Sequence, residues 1–147
     1  MPKTILLVED NPDDEELTRM ALEQSNIANR LVVARDGVEA LDYLLGAGPD
    51  GEGAASELPA VVLLDLKLPR IDGIEVLRRL RQHERTRGLP IVVLTASRGE
   101  QDVIDSYGLS VNSYIRKPVE VDAFFEATRQ LGLYWLMLNE NPPQGLR

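Results

Sequence analysis

The sequence predicts an α/β domain in which five parallel strands alternate with five helices. Short apolar runs rich in β-branched residues recur between segments of helical periodicity, which is the pattern of successive βα units. The runs at residues 5–8, 61–64 and 91–94 are apolar without alternation. Such runs are typical of central parallel strands that helices cover on both faces. We therefore expect one core built around these three strands.

The order of the elements follows from the turn and helix-start signals between the runs. The predicted strands are residues 3–9, 30–35, 60–65, 90–95 and 113–116, and the predicted helices are residues 13–25, 36–45, 73–84, 99–107 and 119–138. Asp36 and Glu39 form a predicted capping box, and the first helix opens with four acids that the helix dipole stabilises. Residues 46–59 are rich in Gly, Pro and Ala and predict a surface loop. Five such units are arranged compactly in a doubly wound, flavodoxin-like sheet with strand order 2-1-3-4-5.

Composition excludes several classes of protein. The chain has 147 residues, which suits one domain, and it has no cysteine, which excludes disulfides and thiolate zinc sites. Its formal net charge of −8 disfavours binding to nucleic acid or to anionic membranes. No apolar stretch is long enough for a secretory signal or a membrane span, so a cytoplasmic protein is expected.

Polar side chains stand at the carboxyl end of four predicted strands. Glu9 and Asp10 follow the first strand and Asp65 ends the third, whereas Thr95 ends the fourth and Lys117 follows the fifth. Because the first and third strands are neighbours in the predicted order, the three carboxylates should converge. Converging carboxylates repel one another, and a Mg²⁺ ion removes that repulsion. The sequence therefore predicts a Mg²⁺ site at this edge of the sheet.

Asp65 is the best candidate for a nucleophile toward phosphorus, because it follows a fully apolar strand and precedes a turn. A cation at Asp10 and the Lys117 ammonium would offset the charge of a phosphoryl group, and Thr95 would hydrogen-bond to it. Each residue alone also has an ordinary structural role, as a helix-dipole complement, a surface lysine or a strand-end hydroxyl. Their joint occurrence at the ends of the right strands favours phosphoryl chemistry.

Four sequence motifs resemble the receiver domain of bacterial two-component response regulators. They are VEDNPDD at residues 8–14, LLDLKLPRIDG at 63–73, VLTAS at 93–97 and SYIRKP at 113–118. The resemblance implies a phosphoacceptor signalling protein rather than an enzyme, in which Asp65 receives a phosphoryl group from a kinase histidine. The Mg²⁺ ligands that it implies are Glu9, Asp10, Asp65 and the backbone carbonyl of Lys67.

The same resemblance implies roles for residues of the last two strands. Thr95 and Tyr114 match the switch pair, in which the hydroxyl moves to the phosphoryl group and the aromatic ring turns inward. Lys117 matches the lysine that contacts the phosphoryl group. A cis peptide bond is expected before Pro118.

Within this family, residues 46–59, 106–118 and 132–143 resemble the single-domain regulators that are paired with phytochrome-type histidine kinases. A receiver domain over residues 1–138, with the loop as an insertion, and a tail at 139–147 are expected. A phytochrome-type kinase is the implied partner. Output would then pass to a phosphotransfer protein or to a direct target.

The end of the last predicted helix is apolar on all sides. Its aromatic and Met side chains predict a homodimer or partner surface, because so small a domain cannot easily bury every side of a terminal helix. The residues of this surface are Tyr134, Trp135 and Met137. Burial against the first helix is the alternative.

Two residues depart from the usual family pattern. Lys67 stands where the family often has a non-basic residue, so its ammonium would pair with Glu9 or screen the phosphoryl group. Glu9 stands where many members have Asp. The extra methylene of Glu9 would be accommodated through a metal-bound water.

The residues leave two other functions open. A metal-dependent phosphohydrolase would also use Asp65 as its nucleophile, although Lys67 occupies the position where such enzymes have a second acid. A flavin-binding module of flavodoxin type has the same fold. In that case Glu9 and Asp10 would repel the flavin phosphate.

Overall fold

The computed structural model describes residues 4–24, 30–48 and 51–130 of the chain. Its strands are β1 (Thr4–Val8), β2 (Arg30–Ala34), β3 (Val61–Asp65), β4 (Ile91–Thr95) and β5 (Ser113–Arg116). Its helices are α1 (Pro12–Gln24), α2 (Gly37–Leu45), α3 (Gly73–Gln82), α4 (Arg98–Ser106) and α5 (Val121–Gln130). The strands form one parallel sheet in the order β2-β1-β3-β4-β5, which confirms the predicted flavodoxin-like fold.

The two faces of the sheet carry separate apolar clusters, because side chains alternate along each strand. On one face Leu6 and Leu64 pack with residues of α2, α3 and α4. On the other face Leu7 and Leu63 pack with residues of α1 and α5. Every residue of β3 and β4 is buried, as is all of β1 except its first residue, so the three strands are central as predicted. With both faces covered, the polar strand ends are what the sheet leaves open to ligands.

Side-chain caps set where the first two helices begin. The Asp36 carboxylate accepts a hydrogen bond from the Glu39 N–H at 2.8 Å, which confirms the predicted cap of α2. In a capping box the Glu39 carboxylate would accept from the N–H of the N-cap residue, Asp36. Here it accepts from the N–H of the preceding residue, Arg35, at 3.3 Å. The Asn11 side chain accepts from the N–H groups of residues 13–14 at 2.8 and 3.1 Å. Helix α1 therefore begins one residue earlier than predicted.

The predicted loop at residues 46–59 is tied to neighbouring elements in its described part. The Ala55 N–H donates to the Tyr43 carbonyl at 2.9 Å, which holds this segment against the end of α2. The Arg85 guanidinium donates to the Ala55 carbonyl from beyond α3. Together these contacts fasten the loop on the side of the sheet that α2 and α3 cover.

Several predictions fall on residues outside the described part. Residues 131–138 lie outside it, including Tyr134, Trp135 and Met137, and so does the tail at 139–147. The length of the last helix, the domain limits and the dimer surface therefore stay predictions. Within the described residues, no helix combines the length and the apolar character that crossing a bilayer requires.

Candidate functional site

The carboxyl edge of the sheet brings the predicted polar residues together. Strand β1 lies beside β3 with Val8 opposite Leu64, so Glu9 and Asp10 leave the sheet next to Asp65. One carboxylate oxygen from each of these three acids lies within 4.8 Å of the others. Glu9 and Asp65 are buried, whereas Asp10 is exposed at the mouth of the crevice.

The Lys117 ammonium lies at the centre of the site. Its Nζ is 3.0 Å from Asp65 Oδ2, 3.1 Å from Glu9 Oε1 and 3.0 Å from Asp14 Oδ2. Burial by itself lowers the pKa of Lys117, but hydrogen bonds and ionic contacts with these carboxylates outweigh it and raise the pKa above its usual value. Lys117 therefore stays charged across the physiological pH range.

The surroundings of the Glu9 carboxylate disfavour its charged form. Burial is the main cause that raises its pKa to about 7, followed by the neighbouring Asp65 carboxylate, which favours the protonated form of Glu9. Its Oε1 is buried and, although 3.1 Å from Lys117 Nζ, makes no hydrogen bond within the described part of the chain. A carboxylate in this state fits a hard divalent cation, which binds oxygen and relieves the repulsion between acids.

Thr95 and Tyr114 stand on neighbouring strands, and their hydroxyls are used differently. Thr95 is fully buried, and its Oγ1 has no hydrogen-bond partner among the described residues. The Tyr114 hydroxyl donates to Asp105 Oδ1 of α4 at 3.2 Å. Burial and then the Asp105 carboxylate raise the pKa of Tyr114 to about 12. Among the described residues, the Thr95 hydroxyl is thus available to a new acceptor, whereas the Tyr114 hydroxyl is bonded to α4.

The segment after Asp65 differs in part from expectation. The Lys67 N–H donates to Asp65 Oδ1 at 3.3 Å, while the Lys67 side chain is exposed. The predicted option of a Lys67 pair with Glu9 is wrong, because Glu9 pairs with Lys117 deeper in the crevice. The peptide bond between Lys117 and Pro118 is cis, the isomer that the family resemblance implies.

Asp14 is the site residue that sequence reasoning missed. Its position in the first turn of α1 was interpreted only as a complement to the helix dipole. The structure places its carboxylate on the Lys117 ammonium. A signal was present in the sequence, because the first turn after β1 lies at the same edge of the sheet as Glu9 and Asp10.

A cavity of about 540 Å³ opens beside the site, between the segment after β3 and helix α4. Its lining includes Asp10, Lys67, Leu68, Glu100 and Val103. Of the three clustered acids, Asp10 is the one that lines this cavity.

Comparison with known proteins agrees with this geometry. Residues 5–129 match the family model of the response regulator receiver domain. The response regulator Rcp1 of Synechocystis sp. is 41% identical over 135 residues, which cover 92% of this chain and 90% of Rcp1. The phosphohydrolase and flavodoxin alternatives gain no support from these matches.

Solved structures of related proteins share the fold. The bacteriophytochrome response regulator AtBRR is 52% identical with a TM-score of 0.82, covering 92% of this chain and 96% of AtBRR. The Mn²⁺-bound form of Rcp1 is 40% identical with a TM-score of 0.71, covering 92% and 95%. The phosphorylated cyanobacterial phytochrome response regulator RcpA is 36% identical with a TM-score of 0.72, covering 98% and all of RcpA. The chain therefore belongs to the response regulator receiver domain family.

Proposed function

We propose that this response regulator accepts a phosphoryl group on Asp65 from a histidine kinase, in a reaction that requires Mg²⁺. The observation that carries the proposal is the setting of the Asp65 carboxylate. One oxygen is 3.0 Å from the Lys117 ammonium, and the other is 3.3 Å from the Lys67 N–H. The acids that fit a cation, Glu9 and Asp10, lie beside it.

The transfer needs a nucleophile and positive charge around the phosphoryl oxygens. A carboxylate oxygen of Asp65 attacks phosphorus, the bond from phosphorus to the kinase imidazole nitrogen breaks, and the imidazole leaves with the electron pair. Lys117 neutralises charge on the transferred group from the side of β5. Glu9, Asp10, Asp65 and the Lys67 carbonyl would hold Mg²⁺, which when bound supplies further positive charge to the phosphoryl oxygens. The Mn²⁺-bound form of Rcp1 supports the binding of a divalent cation by this protein.

Thr95 and Tyr114 are the proposed switch that reports phosphorylation. The unpartnered Thr95 hydroxyl gains an acceptor when a phosphoryl group stands on Asp65. Movement of the β4 end toward that group leaves room for the Tyr114 ring to leave Asp105 and turn inward. The change biases the surface formed by β4, β5 and α4 between two states, which is how a local charge becomes a signal.

The proposed partner is a sensor histidine kinase of the phytochrome type. The names of AtBRR and RcpA as phytochrome response regulators support this choice. We place the encounter in the cytoplasm, where the kinase obtains its phosphoryl group. A phosphotransfer protein or a direct target would receive the output, and the protein acts as a signalling module rather than as an enzyme on a free substrate. Homodimer formation through Tyr134, Trp135 and Met137 stays a prediction, and sedimentation velocity tests it.

Intact mass after incubation with Mg²⁺ and acetyl phosphate tests the phosphoacceptor. We expect the wild type to gain one phosphoryl group and Asp65→Asn to gain none. Asp72→Asn is the matched control, because this exposed acid caps α3 and Asn caps equally well. Equal phosphorylation of Asp65→Asn and the wild type would show that another residue accepts the group.

A further inference from the structure

Asp14 lies in the site but outside the set of acids that fits a cation. Its Oδ2 is 3.0 Å from Lys117 Nζ, the same distance as Asp65 Oδ2. The acids whose oxygens cluster within 4.8 Å are Glu9, Asp10 and Asp65. Asp14 thus contacts the ammonium of the site without joining the carboxylates that would hold Mg²⁺.

The start of α1 fixes where the Asp14 carboxylate points. Asn11 caps this helix by accepting from the Asp14 N–H at 3.1 Å, so the Asp14 carboxylate is not needed as a cap. The Asp14 side chain is 30% exposed, whereas that of Asp65 is 7% exposed. Asp14 therefore reaches Lys117 from the solvent side of the crevice, and Asp65 reaches it from the sheet.

The charges around Lys117 change during the proposed reaction, but that of Asp14 does not. Glu9 would become a cation ligand, and Asp65 would become an acyl phosphate whose negative charge lies on the phosphoryl oxygens. Asp14 keeps a free carboxylate throughout. It then competes with the phosphoryl oxygens for the same ammonium.

We propose that Asp14 is a positioning residue that holds the Lys117 ammonium toward α1 and so limits its contact with the phosphoryl group. This inference rests on the proposed phosphorylation of Asp65. Asp14 would thereby restrain both the acceptance of phosphoryl groups and the stability of the phosphorylated form. Loss of its charge should release the ammonium to the phosphoryl oxygens.

Substitutions in the first turn of α1 test the proposal. The measured rate is phosphorylation by acetyl phosphate with Mg²⁺: the bond from phosphorus to the acetate oxygen breaks, a bond from phosphorus to an Asp65 oxygen forms, and acetate leaves. Asp14→Asn removes the charge and keeps the shape. Asp13→Asn is the matched control, because Asp13 is exposed, lies in the same helical turn and removes the same charge from the helix start.

We expect Asp14→Asn to accept the phosphoryl group about fivefold faster than the wild type, while Asp13→Asn stays within about twofold. Asp14→Glu should return toward the wild-type rate, because its carboxylate still reaches the ammonium. Against a Lys117→Met background, Asp14→Asn should produce no acceleration, since the ammonium that Asp14 holds is absent. A general effect on folding would not depend on Lys117 in this way.

A second measurement does not depend on turnover. Beryllium fluoride with Mg²⁺ mimics a phosphoryl group on a carboxylate, and its affinity can be measured by calorimetry. We expect Asp14→Asn to bind it about fivefold more tightly than Asp13→Asn does. Equal or weaker binding by Asp14→Asn would overturn the proposal, and so would equal or slower phosphorylation.

Measurements on the wild type distinguish failure of the Asp14 proposal from failure of the proposed function on which it rests. If the wild type gains no phosphoryl group from acetyl phosphate or from candidate kinases, the proposed function fails. If the wild type is phosphorylated on Asp65 and Asp14→Asn behaves like Asp13→Asn, only the role of Asp14 fails.

Discussion

The two edges of the sheet differ in how completely their polar groups are paired. At the carboxyl edge, Thr95 Oγ1 is buried without a hydrogen-bond partner among the described residues, and the buried Glu9 Oε1 has only its ion pair with Lys117. At the amino edge, the Arg81 guanidinium donates to the Leu89 carbonyl at 2.8 Å, to the Ser110 carbonyl at 2.9 Å and to Asn112 Oδ1 at 3.0 Å. The amino-edge cluster, which we define as Arg81, Thr86 and Asn112, joins the segments that precede β4 and β5.

This contrast separates a structural cluster from a functional one. An unpaired buried polar group costs stability, so a cluster that serves only the fold is expected to satisfy its groups. Asn112 Oδ1 also accepts from the Ile91 N–H at 2.9 Å, and the Thr86 hydroxyl donates to the Leu80 carbonyl at 2.7 Å. Under the proposed function, the incompletely paired groups of the carboxyl edge would gain partners from a cation and a phosphoryl group.

The largest effect should follow from breaking the amino-edge cluster. Arg81→Met removes the donor of several backbone carbonyls and should lower the free energy of unfolding by about 2–3 kcal/mol. Urea unfolding measures this loss. The folded fraction should still accept a phosphoryl group at the wild-type rate, because the site lies at the other end of the strands.

Arg79→Met is the matched control for Arg81→Met. Arg79 lies on the same helix, but it is exposed and pairs with Glu75 at the surface. Its loss should change the free energy of unfolding by less than about 0.5 kcal/mol. Equal losses for both variants would show that the contacts of Arg81 do not stabilise the fold.

The sequence predicts the carboxyl edge better than the amino edge, for a physical reason. Alternation of strands and helices sets the strand order, and the strand order determines that Glu9 and Asp65 meet. Arg81 belongs to an arginine-rich stretch, residues 78–87, and a charge run of this kind is typical of a solvent-exposed helix face. Its partners Ser110 and Asn112 are 29 and 31 residues away, and no periodicity reports such contacts.

Asp14 was missed for a related reason. Its contact with Lys117 depends on where the first turn of α1 sits and on how far the lysine side chain reaches. Helix-start rules explain an acid at this position completely through the dipole. A residue that satisfies a local rule gives no sign that it also makes a long-range contact.

The affinity of the carboxyl edge for Mg²⁺ should change about tenfold with pH. The pKa of Glu9 is raised to about 7, so below that pH a proton occupies this carboxylate and must leave before a cation binds. Mg²⁺ affinity should therefore rise with pH and level off above about 7. The gain between pH 6 and pH 8 should be about tenfold, since one proton is displaced.

Calorimetric titration with Mg²⁺ at several pH values checks this prediction. Glu9→Gln should bind Mg²⁺ more weakly and should show no such rise, because the titrating group is gone. Asp10→Asn should also bind more weakly but should keep the rise. A wild-type affinity that does not change between pH 6 and pH 8 would contradict the assignment of Glu9 as the proton-binding ligand.

The smallest expected effects concern two buried threonines, Thr95 at the carboxyl edge and Thr86 at the amino edge. Thr95 and Thr86 are both fully buried, yet only Thr86 uses its hydroxyl in a hydrogen bond within the described residues. Valine has nearly the same shape as threonine and lacks the hydroxyl. Thr86→Val should lower the free energy of unfolding by about 1 kcal/mol, because the Leu80 carbonyl loses its donor.

Thr95→Val should raise the free energy of unfolding of the unphosphorylated protein by about 1 kcal/mol, because it removes a buried hydroxyl that has no partner. Urea unfolding in the presence of EDTA, which excludes bound cations, gives both values. After phosphorylation, Thr95→Val should instead have a lower free energy of unfolding than the wild type. The wild-type hydroxyl then gains an acceptor that valine cannot use. If Thr95→Val is as destabilising as Thr86→Val before phosphorylation, the Thr95 hydroxyl already has a partner and is not poised for the phosphoryl group.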